Sequence, residues 1–493
     1  MATLLAGKNP LHIPENPLHI PEIRSRISRL VSVKDAISCV RVSKDWYKDF
    51  IYHIWYAVDF KVHNTFQRLS ADIIAKHGHH IRIVENLKTQ RQLNALVHSS
   101  IKNVRVLHLT CAKSARFRIL CMDLISNNNR SLKDLTFRMD ENVKTGDLSA
   151  RMISIDAFIS HSSVSLLSLI HLRGVCFSRN SFASLLRGCP LLTSVYLQDD
   201  VTMLSGSSID SFQHMGVITL MASIKNVFKP DPGSEVLPLG LTLLVHFPNL
   251  TCWLCHSLET TLIVSSERIK EEARICCPKL SYFYTFRIPS LVLYDLVANA
   301  FNNLKTVAFE YEKLSMDIIV ALLFHQTTLQ GVSAIRCGNQ SETEQDDFLS
   351  EEDPFRESGR ALQLLPRSCS NLTALAVELH KMDMDFVEEK EWACRGLQQL
   401  RVRIRSLDTE EKVNRAHQLW VEGIMKKNKN VEEEEQEKRT GQEEGNNELT
   451  ESPANGIKET SIEERVARHL LKFDQLKSVW LGTRTLYAAS KKR

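Results

Sequence analysis

Apolar residues along this chain follow two different spacings. Over residues 16–60 they recur every three or four positions, the signature of helices with one apolar face. Pro21 suits a first helical turn, where its missing N–H costs nothing. Ile23, Ile27 and Leu30 then follow at i, i+4 and i+7. Asp35 is the predicted N-cap of a second helix, which would carry Cys39, Val42, Trp46 and Phe50 on one stripe. A third, turn-rich piece adds Ile51, Ile54 and Trp55. Three short helices cannot hide this much apolar surface among themselves. They need a partner, either the rest of the chain or another protein.

Beyond residue 56 the spacing shortens. Residues 57–60, 81–84 and 104–109 alternate as strands do. A unit then recurs: a polar or cysteine-bearing lead, Leu-x-x-Leu/Val-x-Leu/Phe, and a helical stretch. Its anchors are Leu132, Leu192, Leu250, Leu280, Leu304, Leu372, Leu397 and Leu476. The anchors at Leu280, Leu304 and Leu329 lie 24 and 25 residues apart, within the leucine-rich-repeat range. One strand and one return helix cannot bury their own apolar side, and stacking of successive units does so. The predicted fold class is α/β: an N-terminal trihelical motif at 16–60, then an irregular leucine-rich-repeat solenoid over 61–493. A compact α/β sandwich is the alternative.

Two acidic stretches, 341–357 and 426–461, interrupt the period. Both are short of aliphatics, the second contains Glu432 to Glu435 in a row, and both are expected to be disordered loops. A contact tuned by phosphorylation is the alternative. The heptapeptide NPLHIPE occurs twice, at 9–15 and 16–22, and residues 1–15 are expected to be a flexible lead-in.

Composition narrows the class. The 493 residues are 43% hydrophobic and 24% charged, as in soluble globular proteins. A net charge of +4 is too mild to indicate a nucleic-acid partner. No apolar run approaches the roughly 20 residues of a membrane helix, and residues 1–8 are too short in apolar core for a signal peptide. The 12 cysteines are scattered among aliphatics, as free buried thiols are in the cytosol or nucleus.

Catalytic chemistry is sparse. His77, His79 and His80 crowd a Gly turn, which suits a loop better than one tetrahedral metal centre. Cys252, Cys255 and His256 have the spacing of covalent haem attachment but fall where a repeat strand is expected. A zinc site would need a second pair, and Cys276 and Cys277 are adjacent. No phosphate loop, nucleophile elbow or metalloprotease motif occurs. Neither an enzyme nor a cofactor or metal site is expected. Arg401, Arg403 and Arg405 alternate with Leu400, Val402 and Ile404, so one face of a strand carries three guanidinium groups. These are candidate ligands for an acidic or phosphorylated target segment. The alternative is that they pair with Glu388, Glu389 and Glu391.

The order Ile20-Pro21-Glu22-Ile23, Ile27, Leu30, Asp35-Ala36-Ile37, Val42-Ser43-Lys44-Asp45-Trp46 and Trp55 resembles an F-box. Ile20 stands where the usual pattern has leucine, and Val31 to Lys34 lack the usual Leu-x-Pro-x-Asp linker. The turn from Lys76 to Arg82 and the stretch from Met382 to Thr409 resemble fungal F-box/leucine-rich-repeat proteins. The resemblance implies a trihelical motif that docks a Skp-type adaptor and through it a cullin. Pro21, Ile23, Ile27, Leu30, Val42 and Trp46 would lie in or beneath that interface. The expected function is then the substrate-recognition subunit of an SCF-type E3 ubiquitin ligase, its repeats holding a target protein, with no nucleic-acid or membrane partner. The alternatives are a helical cap on the larger domain and a leucine-rich-repeat scaffold with no ligase coupling.

Overall fold

The structure, a computed structural model, describes residues 17–61, 71–99, 101–111, 115–139, 167–173, 175–198, 202–204, 212–223, 243–244, 246–256, 277–286, 290–310, 314–335, 356–407, 409–440, 460–481 and 485–487. The expected lead-in at 1–15, and the expected disorder at 341–355 and 441–459, fall outside these residues. The chain divides into two units, Met1–Gly216 and Val217–Arg493.

The first unit begins with three helices: α1 (Pro21–Leu30), α2 (Val33–Cys39) and α3 (Lys44–Tyr56). Their boundaries correct the sequence reading in two places. Ser32, not Asp35, caps α2: its Oγ accepts from the Asp35 N–H at 3.2 Å and donates to Asp35 Oδ2 at 2.7 Å. The stripe from Cys39 to Phe50 is broken, because Ser43 caps a new helix by accepting from the Trp46 N–H at 3.3 Å. A hydroxyl cap satisfies an otherwise orphaned donor, and this overrides an apolar period that runs on through the turn. Ile51, Ile54 and Trp55 consequently belong to α3 rather than to a separate piece.

Strands β1 (Ala57–Asp59), β2 (Ile83–Leu87), β3 (Val106–Cys111), β4 (Asp134–Met139), β5 (Leu169–Arg173) and β7 (Ser194–Gln198) follow side by side and parallel. Between β5 and β7 comes β6 (Cys176–Ser178), which pairs separately with β8 (Thr202–Leu204). In the second unit β9 (Thr219–Ser223), β10 (Cys252–His256), β11 (Tyr282–Phe286), β12 (Thr306–Glu310), β13 (Gly331–Ile335), β14 (Ala374–Met382), β15 (Gln399–Ile404) and β16 (Ser478–Trp480) are parallel in chain order. The last strand, β17 (Thr485–Tyr487), turns back antiparallel on β16.

The strands repeat because each unit buries the same three positions, i, i+3 and i+5. In the first unit these are Val104/Leu107/Leu109, Leu132/Leu135/Phe137, Leu167/Ile170/Leu172 and Leu192/Val195/Leu197. In the second they include Leu250/Trp253/Cys255, Leu304/Val307/Phe309, Leu329/Val332/Ala334, Leu372/Leu375/Val377 and Leu397/Leu400/Val402. Each buried aliphatic side chain contributes about 1.5–3 kcal/mol. The backbone repeats too. The Lys305 carbonyl accepts from the Gln330 and Gly331 amides at 2.6 and 2.9 Å, and the Gln330 carbonyl accepts from Thr373 and Ala374 at 2.7 and 3.0 Å. The same doubled bond joins Arg105 to Lys133 and Asp134 in the first unit. Each repeat is thereby locked in register to the next. This is a leucine-rich-repeat-like arrangement of parallel strands with intervening helices.

The second acidic stretch is not a loop from its start. One helix, Glu410–Thr440, runs through Lys426 and the glutamate row. Its first half is anchored by buried Val413, Ala416 and Trp420. Gly423 lies so close to Leu471 that a Cβ there would come within 2.4 Å of it. Beyond the anchor the residues are strong helix formers, with Lys429 and Glu433 paired at i, i+4. An anchored helix extends into charged sequence that would not nucleate one alone.

Candidate functional site

The first of the N-terminal helices packs two polar side chains inward. On α1 the buried residues are Arg24 and Ser28. Arg24 pairs with Asp49 of α3 and donates to the Leu18 carbonyl at 2.9 Å. Ser28 donates to the Ser25 carbonyl at 2.9 Å, and His53 of α3 donates to the Val31 carbonyl at 3.0 Å. These partners let a guanidinium and a hydroxyl be buried at the helix contact. The apolar face of α1 is consequently not the buried one. Ile23 and Ile27 are half-buried, whereas Leu30 is 85% exposed. Val42, in the turn before α3, is 66% exposed, and Ile37 of α2 is exposed as well.

Of the sequence-predicted residues, Pro21, Ile23, Ile27 and Leu30 share α1, with Pro21 exposed at its first position. Trp46, in the first turn of α3, stacks on buried Phe50, ring centroids 5.1 Å apart and planes 9° apart. Phe50, Ile54, Trp55 and Ala36 form the interior of the motif. Sequence spacing found the apolar face of α1. It did not reveal that Arg24 takes the inner position, since the Asp49 that neutralises it lies 25 residues on.

The histidine turn packs against this motif. His77 stacks on Trp55 at 5.0 Å, His80 meets Tyr52 edge-on at 5.9 Å, and the His79 and His80 rings are 3.8 Å apart. Burial, then neighbouring charges, lowers the pKa of His77 and of His80. No group of three or more His, Cys, Asp or Glu suited to a metal occurs among the described residues. Cys252 and Cys255 both lie on β10, where an odd spacing puts them on opposite faces. Cys255 is buried, which pushes its thiol up to about 12. Among the described residues no helix is long and apolar enough to cross a membrane.

In the second unit β15 alternates as expected: Leu400, Val402 and Ile404 are buried, Arg401 and Arg403 are half-buried on the other side, and Arg405, also half-buried, lies in the turn that follows. Arg401 is the register partner of Ala376 and Trp480, and its guanidinium lies over the Trp480 ring, 4.8 Å from the centroid. Arg403 neighbours Lys381. Other arginines engage the acids weighed as partners for this row. Arg465 holds Glu388 at 2.7 Å together with Asp385 at 2.6 Å, Arg367 lies 3.6 Å from Glu389, and Arg395 holds Glu391 at 2.6 Å.

The chain matches no known protein-family model and no curated protein. Among solved structures it is similar to a chain in the crystal structure of a TLR13–ssRNA13 complex, with 13% identity and a TM-score of 0.32. That alignment covers 69% of this chain and 38% of the other, so the chain spans well under half the length of that neighbour.

Proposed function

We propose that the chain is the substrate-recognition subunit of an SCF-type ubiquitin ligase. In this reading α1–α3 are an F-box that docks a Skp-type adaptor and through it a cullin, and the open face of the repeat strands, Arg401, Arg403 and Arg405 included, holds the target protein. The observation that carries it is the set of apolar side chains that the helical motif leaves exposed. Arg24 is turned inward onto Asp49, while Leu30, with Val42 and Ile37 nearby in sequence, is left in solvent. A group of large exposed apolar side chains marks a surface that a partner covers. The protein itself makes and breaks no bonds. It raises the effective concentration of a target lysine at a ubiquitin-charged enzyme, in the cytosol or nucleus.

The test is co-purification of the full chain with a Skp-type adaptor, comparing wild type with the Leu30→Asp/Val42→Asp double variant. A stoichiometric complex with the wild type that disappears in the variant, with the unfolding midpoint unchanged, supports the proposal. A folded wild-type chain that ignores the adaptor overturns it and leaves a leucine-rich-repeat scaffold.

A further inference from the structure

The helix Met316–Leu323 in the second unit carries apolar residues on its inner and outer faces alike. Ser315 starts it by accepting from the Ile318 N–H at 3.4 Å. Ile318, Ile319, Ala321 and Leu322 are its buried face and seat the repeat. The outer face differs from that of the helix Ile462–Leu470, which puts Glu464 and Arg468 in solvent. Here Met316, Val320 and Phe324 stand outward at i, i+4 and i+8, and are 51%, 40% and 66% exposed. Asp317 is the single charge from Met316 to Phe324. A helix apolar all round belongs in a core or under a partner.

The outward row is symmetric about its middle. Bulky Met316 and Phe324 sit one turn to either side of the more compact Val320, so the row is a saddle between two ridges. A second copy laid antiparallel sets its own Val320 at the saddle and its Phe324 against Met316, a thioether on an aromatic ring. Each copy then meets the other with the same residues, as a two-fold contact requires. Charge selects the antiparallel sense. It opposes the two helix dipoles, and it separates Asp317 from its counterpart, which a parallel pair would set side by side. The three side chains expose on the order of 300 Å², the scale of a functional apolar patch. A standard contact takes about 800 Å² from each partner, so they would form its apolar core within a polar rim. Leu364, 36% exposed, adds apolar surface on the helix Leu364–Ser368, which packs beside this one.

We propose that this helix is the contact of a reversible homodimer, two copies of the chain meeting antiparallel with Val320 on the two-fold axis. A row this poor in charge offers a charged partner nothing to pair with, whereas a second copy matches it in shape and in polarity. Whatever the repeats bind is then presented in duplicate. The inference stands apart from the ligase assignment, because the helical motif takes no part in it.

The experiment is analytical ultracentrifugation of the full chain carrying Leu30→Asp/Val42→Asp, so that association through the helical motif does not contribute. A concentration-dependent dimer is expected. Val320→Arg, which puts a charge on the axis, should weaken it at least about tenfold. Val431→Arg, at an exposed position of the helix Glu410–Thr440, should leave it unchanged. A monomer at every concentration, or a dimer indifferent to Val320→Arg, would overturn the proposal. Cross-linking decides the matter even if Val320→Arg misfolds. With aerobic copper–phenanthroline as oxidant, two thiols give up two protons and two electrons and form one disulfide. Val320→Cys should yield a linked dimer that the parent chain does not. Met316→Cys should not, because its two copies would lie about 12 Å apart along the helices, beyond the roughly 4 Å between the Cβ atoms of a disulfide. Mixing Met316→Cys chains with Phe324→Cys chains should restore the link. Linking through Met316→Cys as readily as through Val320→Cys would sink the antiparallel pairing. Adaptor co-purification with the wild type is read separately, so failure of either result leaves the other standing.

Discussion

The helical motif and the repeats solve the problem of apolar surface in opposite ways. In the repeats the i, i+3, i+5 triplets named above are turned in, down to Trp253, which is wholly buried against Phe283 and Phe301 with ring centroids 5.3 and 6.3 Å away. In the motif α1 turns an arginine and a serine in, leaving Leu30 in solvent. Stacked units supply one another with a buried side. The short helical bundle adds a buried ion pair to its interior of Phe50, Ile54 and Trp55, while Leu30, Ile37 and Val42 stay outward. Hydrophobic pattern therefore reports stability in one region and, in the proposed function, docking in the other.

Substitutions test that contrast, the largest effect first. Trp253→Ala should destabilise the second unit by about 3–5 kcal/mol, read as a lower midpoint in denaturant unfolding. Arg24→Ala should cost about 3 kcal/mol by leaving Asp49 partly buried and unneutralised, and Arg24→Leu/Asp49→Leu should recover much of that. Recovery in the double variant would show the pair to be a positioning device rather than the source of stability.

His469 provides an intermediate case within the repeats. It lies beside Trp392 and Phe473, and burial, then Lys472 and Arg395, hold its pKa down to about 3 against an ordinary value of 6.5. The unfolded chain therefore binds a proton that the folded chain refuses. Stability should fall as pH drops below about 6.5, by up to about 1.4 kcal/mol per unit, until pH approaches 3. His469→Phe should remove this component of the slope in unfolding curves taken between pH 7 and pH 4. Ser43→Ala should cost about 1 kcal/mol through the lost cap of α3, seen as a lower thermal midpoint. Smallest of all, Leu30→Asp should move the midpoint by less than about 0.5 kcal/mol, though it faces the proposed adaptor.

The repeat was legible because its triplets recur as Leu-x-x-Leu-x-Leu whatever lies between them. The copies anchored at Leu167 and Val217 escaped notice because the first lies in a run of serines and aliphatics that hides its register and the second has valine in place of the anchor leucine. The break between α2 and α3 was hidden for the opposite reason: Cys39, Val42, Trp46 and Phe50 keep helical spacing across it, and only the Ser43 cap ends the period. The helix Glu410–Thr440 was missed because a glutamate-rich stretch has no apolar period, and its order derives from the anchored turns before it. The pairing of Arg138 with Arg173 was beyond sequence reasoning altogether. Arg138 and Arg173 become neighbours only once β4 and β5 are in register.

That register survives a long interruption. Leu397 and Leu476 are 79 positions apart, yet β15 and β16 pair as adjacent rungs, and the Gln398 carbonyl accepts from both Lys477 and Ser478 as though nothing intervened. Closing a longer excursion costs only logarithmically in its length. The site between these rungs is therefore a natural graft point: a reporter, a tether or a second binding module can be carried there while the strands on either side keep their alignment.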